Sequence, residues 1–346
     1  MNMHDRLFQA LQGVPQLQEI KLVAGIRDGG LNFPNPGDLR IFIPDMHLSS
    51  AAIAKNYHYG FNCNDLFVGV VNALTALRLG RAAGETIEVY QIGDYLDLWR
   101  EQLKPPNNED VAAAIKDDHT DIVDVLESDD LGVHFLLGNH DFDLWQWADY
   151  KVWDRRFYLP DGNDPAVLVM HGDYFDWRED MPESVKDFVV HYLARTIQAP
   201  DNVLGAIMNQ DHILNKASDF SQSIHLPQPA VIGPGGALPA AGAYRYNVQT
   251  AQASLPGSLL YLNDAVAECA KWNALLETDL RVVVIGHTHR ARIATAQLAS
   301  GQLFTLIDTG AWVENCSETA GGATMPNAQI TALSANEARI YQLVSK

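Results

Sequence analysis

Five apolar, strand-like segments of this chain each run directly into a group of Asp, His, Asn and Gly residues, and this repeated pattern most constrains the fold. The five segments with their polar ends are IFIPDMH at 41–47, VYQIGDYLD at 89–97, VHFLLGNHD at 133–141, VLVMHGD at 167–173 and VVVIGHTHR at 282–290. Short apolar runs of this kind are typical of strands buried in a parallel sheet. Because ligands bind at the carboxyl ends of such strands, the pattern predicts that the five polar groups form one site.

Periodic apolar residues elsewhere predict helices and further strands. Apolar residues recur every three or four positions over 64–81, 109–128 and 261–277, which predicts three helices. Residues 303–307 and 329–342 are predicted to form two or three strands near the end of the sequence. Strands that alternate with helices and are followed by late strands predict an α/β layered fold.

Two stretches lie outside this alternation. Residues 3–27 carry apolar positions at roughly helical spacing, so we expect 1–38 to be an N-terminal helical addition to a main domain at 39–346. The longest interval without a strand and its polar group is about 174–280, which we expect to be a cap inserted into that domain. Within it, 227–257 is rich in Pro, Gly and Ala, and we hypothesise that it is a lid.

The charge balance limits the classes of partner. The chain has 346 residues, with 24 Lys+Arg against 43 Asp+Glu and a formal net charge of -19. This negative field repels polyanions, which argues against nucleic acid as a partner and leaves only peripheral contact with a membrane. No apolar run reaches the roughly 18 residues that a membrane-spanning helix needs.

The cysteines and the first residues predict a cytoplasmic location. Cys63, Cys269 and Cys316 are far apart and form no CxxC, which argues against a disulfide scaffold and against a thiolate metal site. The first 20 residues have neither the apolar core nor the small-residue cleavage site of a secretory signal.

Two pairs of residues have the spacing of metal ligands. Asp45 and His47 are two positions apart at a strand end, and so are His287 and His289. Residues i and i+2 of a strand face the same way, so one cation can take both members of a pair.

Three single residues extend the set of ligands. Asp94 follows Gly93, which lets the backbone turn sharply and leaves the carboxylate free to bridge two metals; Asn139 offers an amide oxygen and His171 another imidazole. Donors that are all oxygen and nitrogen suit two divalent first-row ions, of which we favour Mn over Fe, Zn, Co or Ni. Two metals about 3.5–4 Å apart can hold a bridging hydroxide for in-line attack on a phosphoryl group.

His140 and Asp97 are the candidate catalytic residues. His140 stands beside a ligand without being needed as one, which places it to protonate the leaving group as a general acid. Asp97, three residues after Asp94, is the carboxylate that would orient it.

The ordered motifs DMH, GDYLD, GNHD, HGD and GHTH resemble the pattern of the calcineurin-like metallophosphoesterase superfamily, D-x-H, G-D-x-x-D, G-N-H-[DE], H and G-H-x-H. The resemblance covers about residues 39–315. It implies a four-layer αββα sandwich, in which two mixed β-sheets are flanked by helices, with a helical or loop cap. It implies one metal held by Asp45, His47, Asp94 and His289, and a second held by Asp94, Asn139, His171 and His287. His140 and Asp97 then correspond to the acid and its partner.

Within this superfamily, two details separate the chain from phosphoprotein phosphatases. Those enzymes carry an Arg directly after the second Asp of G-D-x-x-D and have G-N-H-E, whereas Leu98 follows Asp97 here and Asp141 ends GNHD. The forms GDYLDLW, LLGNHDFD, VMHGD and GHTHR are more similar to the UDP-2,3-diacylglucosamine pyrophosphatase-like branch, which has a helical insertion between the HGD and GHTH motifs.

The sequence therefore predicts an enzyme, a dinuclear metallophosphoesterase that hydrolyses a phosphodiester or pyrophosphate bond in a small-molecule or lipid-linked substrate. Two alternatives stay open. A phosphomonoesterase, similar to a protein Ser/Thr phosphatase, needs extra cations for a dianion, and few stand near the motifs. A non-catalytic metallophosphoesterase scaffold would be expected to have lost ligands, and the set is complete here.

Overall fold

The computed structural model describes residues 2–28, 31, 33, 35–50, 61, 63–98, 108–141, 144, 153–159, 165–176, 245–250, 260–289, 291–297, 301, 303–313 and 328–346. Within them the chain is an α/β protein with two mixed β-sheets and five helices. The helices are α1 (Met3–Gln12), α2 (Asn64–Leu79), α3 (Asn108–Asp118), α4 (Thr120–Leu126) and α5 (Leu260–Leu276). None of these described helices is long and apolar enough to cross a membrane.

The described strands form two six-stranded sheets. They are β1 (Leu17–Arg27), β2 (Asp38–Ile43), β3 (Thr86–Ile92), β4 (Val133–Leu136), β5 (Arg156–Leu159), β6 (Val167–Met170), β7 (Arg245–Thr250), β8 (Val282–Ile285), β9 (Arg292–Gln297), β10 (Leu303–Asp308), β11 (Gln329–Ser334) and β12 (Glu337–Ser345). The first sheet has the order β1-β12-β11-β2-β3-β4, and the second has the order β5-β6-β8-β10-β9-β7.

Each sheet has a parallel part and an antiparallel part. Neighbours pair in parallel along β2-β3-β4 in the first sheet and along β6-β8-β10 in the second, and the other pairs are antiparallel. The five strands that the sequence predicts to carry ligands are β2, β3, β4, β6 and β8. All five therefore lie in the parallel parts, and their carboxyl ends carry the candidate ligands.

Three clusters of buried apolar side chains explain why the sequences of these strands are continuous apolar runs. The first cluster packs α1 to α4 against the first sheet, the second contains side chains from both sheets, and the third packs α5 against the second sheet. Successive residues of a strand point to opposite faces. Ile41 and Ile43 accordingly belong to the first cluster and Phe42 to the second, while Val284 belongs to the second and Val283 to the third.

The expectation of an N-terminal helical addition over 1–38 is wrong for its second half. Only α1 is helical, whereas β1 pairs with β12 along the edge of the first sheet. The pairing has register shifts between Leu17 and Glu19 and between Leu22 and Ala24. A β-bulge breaks the two-residue alternation of a strand, which is why this segment has the spacing of a helix.

The expected cap at 174–280 also needs a correction at its C-terminal end. Here α5 packs with the second sheet through Tyr261, Leu262 and Val266, and therefore belongs to the core. Most of the predicted lid at 227–257 lies outside the described residues; its described part, β7, is a strand that pairs with β9.

The remaining predicted elements are present. Residues 64–81 correspond to α2, and the late strands to β10, β11 and β12. The helix predicted over 109–128 is divided into α3 and α4 at His119, whose Nε2 lies 2.8 Å from the carbonyl oxygen of Ser49. This contact ties the break between α3 and α4 to the loop after β2.

Candidate metal centre

A first group of side chains with the geometry of a metal site consists of Asp45, His47 and His289. Nε2 of His289 lies 3.1 Å from Oδ2 of Asp45 and 3.0 Å from Nε2 of His47. All three residues are buried, and their ligand atoms lie within 4.8 Å of one another. They follow β2 and β8, which belong to different sheets, so this group joins the two sheets.

A second group consists of Asp94, His171 and His287, whose ligand atoms also lie within 4.8 Å of one another. Nε2 of His171 lies 3.2 Å from Oδ2 of Asp94 and 3.0 Å from the amide oxygen of Asn139. Oδ2 of Asp94 is also 3.5 Å from Nε2 of His47 in the first group. The Asp94 carboxylate therefore faces both groups.

The contacts of these atoms fit a cation better than a protein-only packing. Oδ1 of Asp45 is buried and has no hydrogen-bond partner among the described residues. Burying a carboxylate oxygen without a partner is costly, whereas a bound cation would compensate it. The paired ring nitrogens of His47 and His289 add neutral nitrogen donors, which suit divalent transition metals. These buried His and Asp groups could therefore hold a metal ion.

Neighbouring backbone groups fix the orientation of the ligands. Nδ1 of His171 donates to the carbonyl oxygen of Ile92 at 2.9 Å, which leaves Nε2 as the ligand atom. Oδ2 of Asp45 accepts from the backbone N–H of His287 at 2.8 Å, and Oδ1 of Asp94 accepts from that of His140 at 2.8 Å. Each carboxylate is thus held by a loop that also carries another site residue.

The backbone of the site is strained at several ligands. His47, Asp94, His287 and His289 have φ values of 49°, 51°, 65° and 57°, in the left-handed region that side chains other than glycine rarely adopt. Such conformations persist only where the surroundings hold them, and they concentrate at functional sites.

Close packing against the carboxylates explains the glycines of the motifs. A Cβ on Gly286 would overlap the Asp45 carboxylate, and a Cβ on Gly138 would overlap that of Asp94. Gly286 and Gly138 therefore each make room for a carboxylate that follows another strand.

The electrostatics of the second group favour an ionised Asp94 and a protonated His171. Burial alone would raise the pKa of Asp94, but the positive charges of His171, His140 and His47 hold that pKa well below its usual value. Burial alone would lower the pKa of His171, but Asp94 and Asp45 raise it to about 10. Nε2 must lose this proton to bind a metal, so the carboxylates that attract the proton would equally attract a cation.

His140 and Asp97 form a buried pair beside the first group. Nδ1 of His140 lies 3.0 Å from Oδ1 of Asp97, and Nδ1 of His47 lies 3.4 Å from Oδ2 of the same carboxylate. Rings of His140 and His47 meet edge to face with their centroids 4.5 Å apart. Asp97 therefore contacts both a candidate ligand and the candidate acid.

The structure brings all nine predicted site residues together, and it adds carboxylates that the sequence prediction missed. Asp141 accepts from the backbone N–H groups of Gly138 at 2.7 Å and Tyr95 at 2.8 Å; burial, and next the charge of Asp94, raise its pKa to about 7. Asp308, at the end of β10, contacts the turn between His287 and His289 through Thr288. Asp141 stands in the GNHD motif, which was a signal for it, whereas no motif contains Asp308.

Comparison of the chain with protein-family models and with curated proteins finds no match.

Proposed function

We propose that this protein is a dinuclear metal-dependent phosphoesterase that hydrolyses a phosphodiester or pyrophosphate bond. One observation carries the proposal: two groups of His and Asp ligands, all buried except the half-buried His287, adjoin at the Asp94 carboxylate, with the His140–Asp97 pair directly beside them. Neighbouring ligand groups that share a carboxylate are typical of two-metal sites in phosphatases and nucleases.

The layer arrangement supports the resemblance to calcineurin-like metallophosphoesterases. A core between the two sheets, and further cores between each sheet and its helices, are what a four-layer αββα sandwich requires. The motif residues are far apart in the chain yet converge at the ends of parallel strands from both sheets.

The ligand sets would divide between two cations. One would be held by Asp45, His47, Asp94 and His289, and the other by Asp94, Asn139, His171 and His287, with Mn favoured by the mixture of carboxylate, amide and imidazole donors. When bound, the cations supply an activated water molecule and positive charge that stabilises the phosphoryl oxygens.

His140 has the geometry of a proton donor to the leaving group. Asp97 accepts from its Nδ1 at 3.0 Å, which fixes the tautomer and stabilises the protonated ring. This leaves Nε2 as the atom that transfers a proton to the departing oxygen. The backbone N–H of His140 donates to Asp94, so the acid and the shared carboxylate are held at a fixed separation.

The charges around the site favour a monoanionic phosphodiester over a dianionic monoester. Among the residues that the structure describes, two arginines adjoin site residues, and each already pairs with a carboxylate. Arg155 lies 3.1 Å from Asp173, two residues after His171, and Arg292 lies 3.1 Å from Asp308. These ion pairs leave little excess positive charge from the described side chains for a second negative charge on the same phosphoryl group.

The test is hydrolysis of bis-p-nitrophenyl phosphate and p-nitrophenyl phosphate by Mn-reconstituted protein, side by side with metal analysis. We expect faster turnover of the diester, loss of turnover in Asp94→Asn, and full activity in Asp65→Asn, a matched control at an exposed position of α2.

Other outcomes would replace the proposal. Preference for the monoester would indicate a phosphatase. Two bound metals without turnover of either compound would favour a scaffold, and absence of bound metal would contradict the interpretation of the site.

A further inference from the structure

The turn that carries His287 and His289 holds two of the four site residues that have left-handed backbone conformations. Both residues have positive φ, and they flank Thr288. Each imidazole belongs to a different ligand group. A rotation of this turn would therefore displace one ligand of each group at once. A contact that holds Thr288 in place would therefore affect both groups.

Thr288 is held by Asp308. The hydroxyl of Thr288 donates to Oδ2 of Asp308, and both side chains are buried. Its backbone N–H donates to the carbonyl oxygen of Gly286 at 2.7 Å. Asp308 is the last residue of β10 and pairs with Ile285, the last residue of β8. The acceptor thus stands on a neighbouring strand of the same sheet, which gives the turn a rigid point of attachment.

Arg292 compensates the charge of Asp308. Its Nε lies 3.1 Å from the same Oδ2, its side chain is 3% exposed, and β9 places it opposite Asp308 in the sheet. Its guanidinium lies 5.8 Å from the ring centroid of Tyr261 in α5. A buried carboxylate without such a cation would be destabilising, so the ion pair allows a charged acceptor to stand behind the turn.

We propose that Asp308 is a positioning residue for the metal-ligating turn, acting through Thr288. A charge-assisted hydrogen bond to the middle residue holds His287 and His289 in left-handed conformations, so that one imidazole reaches each ligand group. The inference rests on the proposed function only in that both groups bind metal. It does not depend on the reaction that the metals support.

The test replaces the hydroxyl of Thr288 and measures metal affinity. Thr288→Val keeps the shape and removes the donor, whereas Thr288→Ser keeps the donor. We expect Val to weaken Mn²⁺ binding, measured by calorimetric titration, by about 10–100-fold, as is typical when a group that orients a ligand is lost. Ser should bind about as tightly as the wild type.

A matched control and an independent readout separate positioning from stability. Thr331→Val changes another buried threonine, in β11, whose hydroxyl has no hydrogen-bond partner among the described residues. Its Mn²⁺ affinity should equal that of the wild type. The thermal midpoint of each metal-free variant is measured in parallel. Asp308→Asn is a poorer probe because it leaves Arg292 buried without its countercharge.

Two results would overturn the inference while leaving the proposed function intact. The first is Thr288→Val binding two Mn²⁺ with the affinity of the wild type. The second is Thr288→Ser binding as weakly as Thr288→Val, since that would assign the effect to packing of the methyl group. If the wild type itself binds no Mn²⁺, the proposed function fails and this inference fails with it.

Discussion

The contact between His140 and Asp97 makes a specific prediction about catalysis, because removing either partner should disable the same proton transfer. A positioned general acid contributes about 10²–10⁴-fold to the rate, or roughly 2.7–5.4 kcal/mol of the barrier. We expect His140→Gln to lower kcat by this factor on a phosphodiester with an alkyl leaving group. The backbone N–H that holds Asp94 remains in this variant, so the metal site should persist.

Asp97→Asn should lower kcat by a smaller factor than His140→Gln, and it should also change the Mn²⁺ concentration needed for saturation. Loss of the carboxylate removes the partner of His140, with an expected loss of about 10–100-fold in kcat, as for other groups that orient a functional side chain. Because Oδ2 of Asp97 also lies 3.4 Å from Nδ1 of His47, the variant should need more Mn²⁺ for saturation. At saturating Mn²⁺, only the effect through His140 remains in kcat.

The double variant then tests the pair as a unit. If Asp97 acts on the proton through His140, Asp97→Asn should change kcat by less than about a factor of two once His140 is already Gln. On bis-p-nitrophenyl phosphate, whose leaving group departs without a proton, the loss in His140→Gln should be far smaller. His134→Gln, an exposed position in β4, is the control. If the loss of kcat in the double variant equals the product of the two single losses, Asp97 does not act through His140. Equal losses of kcat in His140→Gln on both leaving groups would show that His140 is not the general acid.

Three further predictions concern the ligands and the N-terminal helix. Gly286→Ala should abolish Mn²⁺ binding in a calorimetric titration because its Cβ would overlap Asp45, whereas Gly25→Ala, whose Cβ would meet its nearest atom at 3.6 Å, should bind normally. Mn²⁺ affinity should rise about tenfold per pH unit from about pH 7 to about pH 9. The reason is that His171, with a pKa of about 10, is protonated over this range, and the cation must displace that proton. An affinity that does not change with pH would contradict this. Burial lowers the pKa of His4 from 6.5, so its contribution to stability is present above pH 6.5 and lost as the pH falls below it. The midpoint temperature of thermal unfolding should therefore fall less steeply with decreasing pH in His4→Leu than in the wild type. Equal slopes of the midpoint temperature against pH would contradict this assignment.

The ligands could be predicted from the sequence because each one adjoins the strand that positions it. Asp45 and His287 follow runs of buried residues, and these runs are continuous because both faces of β2 and β8 are covered. The local pattern therefore predicts both the strand and the end of that strand at which the ligand side chain lies. Gly286 and Gly138 belong to the same local signals, although their reason, room for a distant carboxylate, is visible only in three dimensions.

Features that depend on pairing between distant segments could not be predicted in this way. The two register shifts in β1 hide its alternation, and its partner β12 lies at the other end of the chain. The role of Asp308 depends on β10 lying beside β8, which brings it to Thr288, 20 positions earlier in the sequence. In the linear sequence it is one acidic residue among 43 Asp and Glu, with nothing local to distinguish it.

Electron paramagnetic resonance during titration with Mn²⁺ shows whether two adjacent metals share Asp94. A carboxylate shared by two ions couples their spins. We expect two equivalents of Mn²⁺ to give the multiline spectrum of a coupled dinuclear centre in the wild type but not in Asp94→Asn. A spectrum of isolated Mn²⁺ ions at saturation, or saturation at one equivalent, would contradict this expectation.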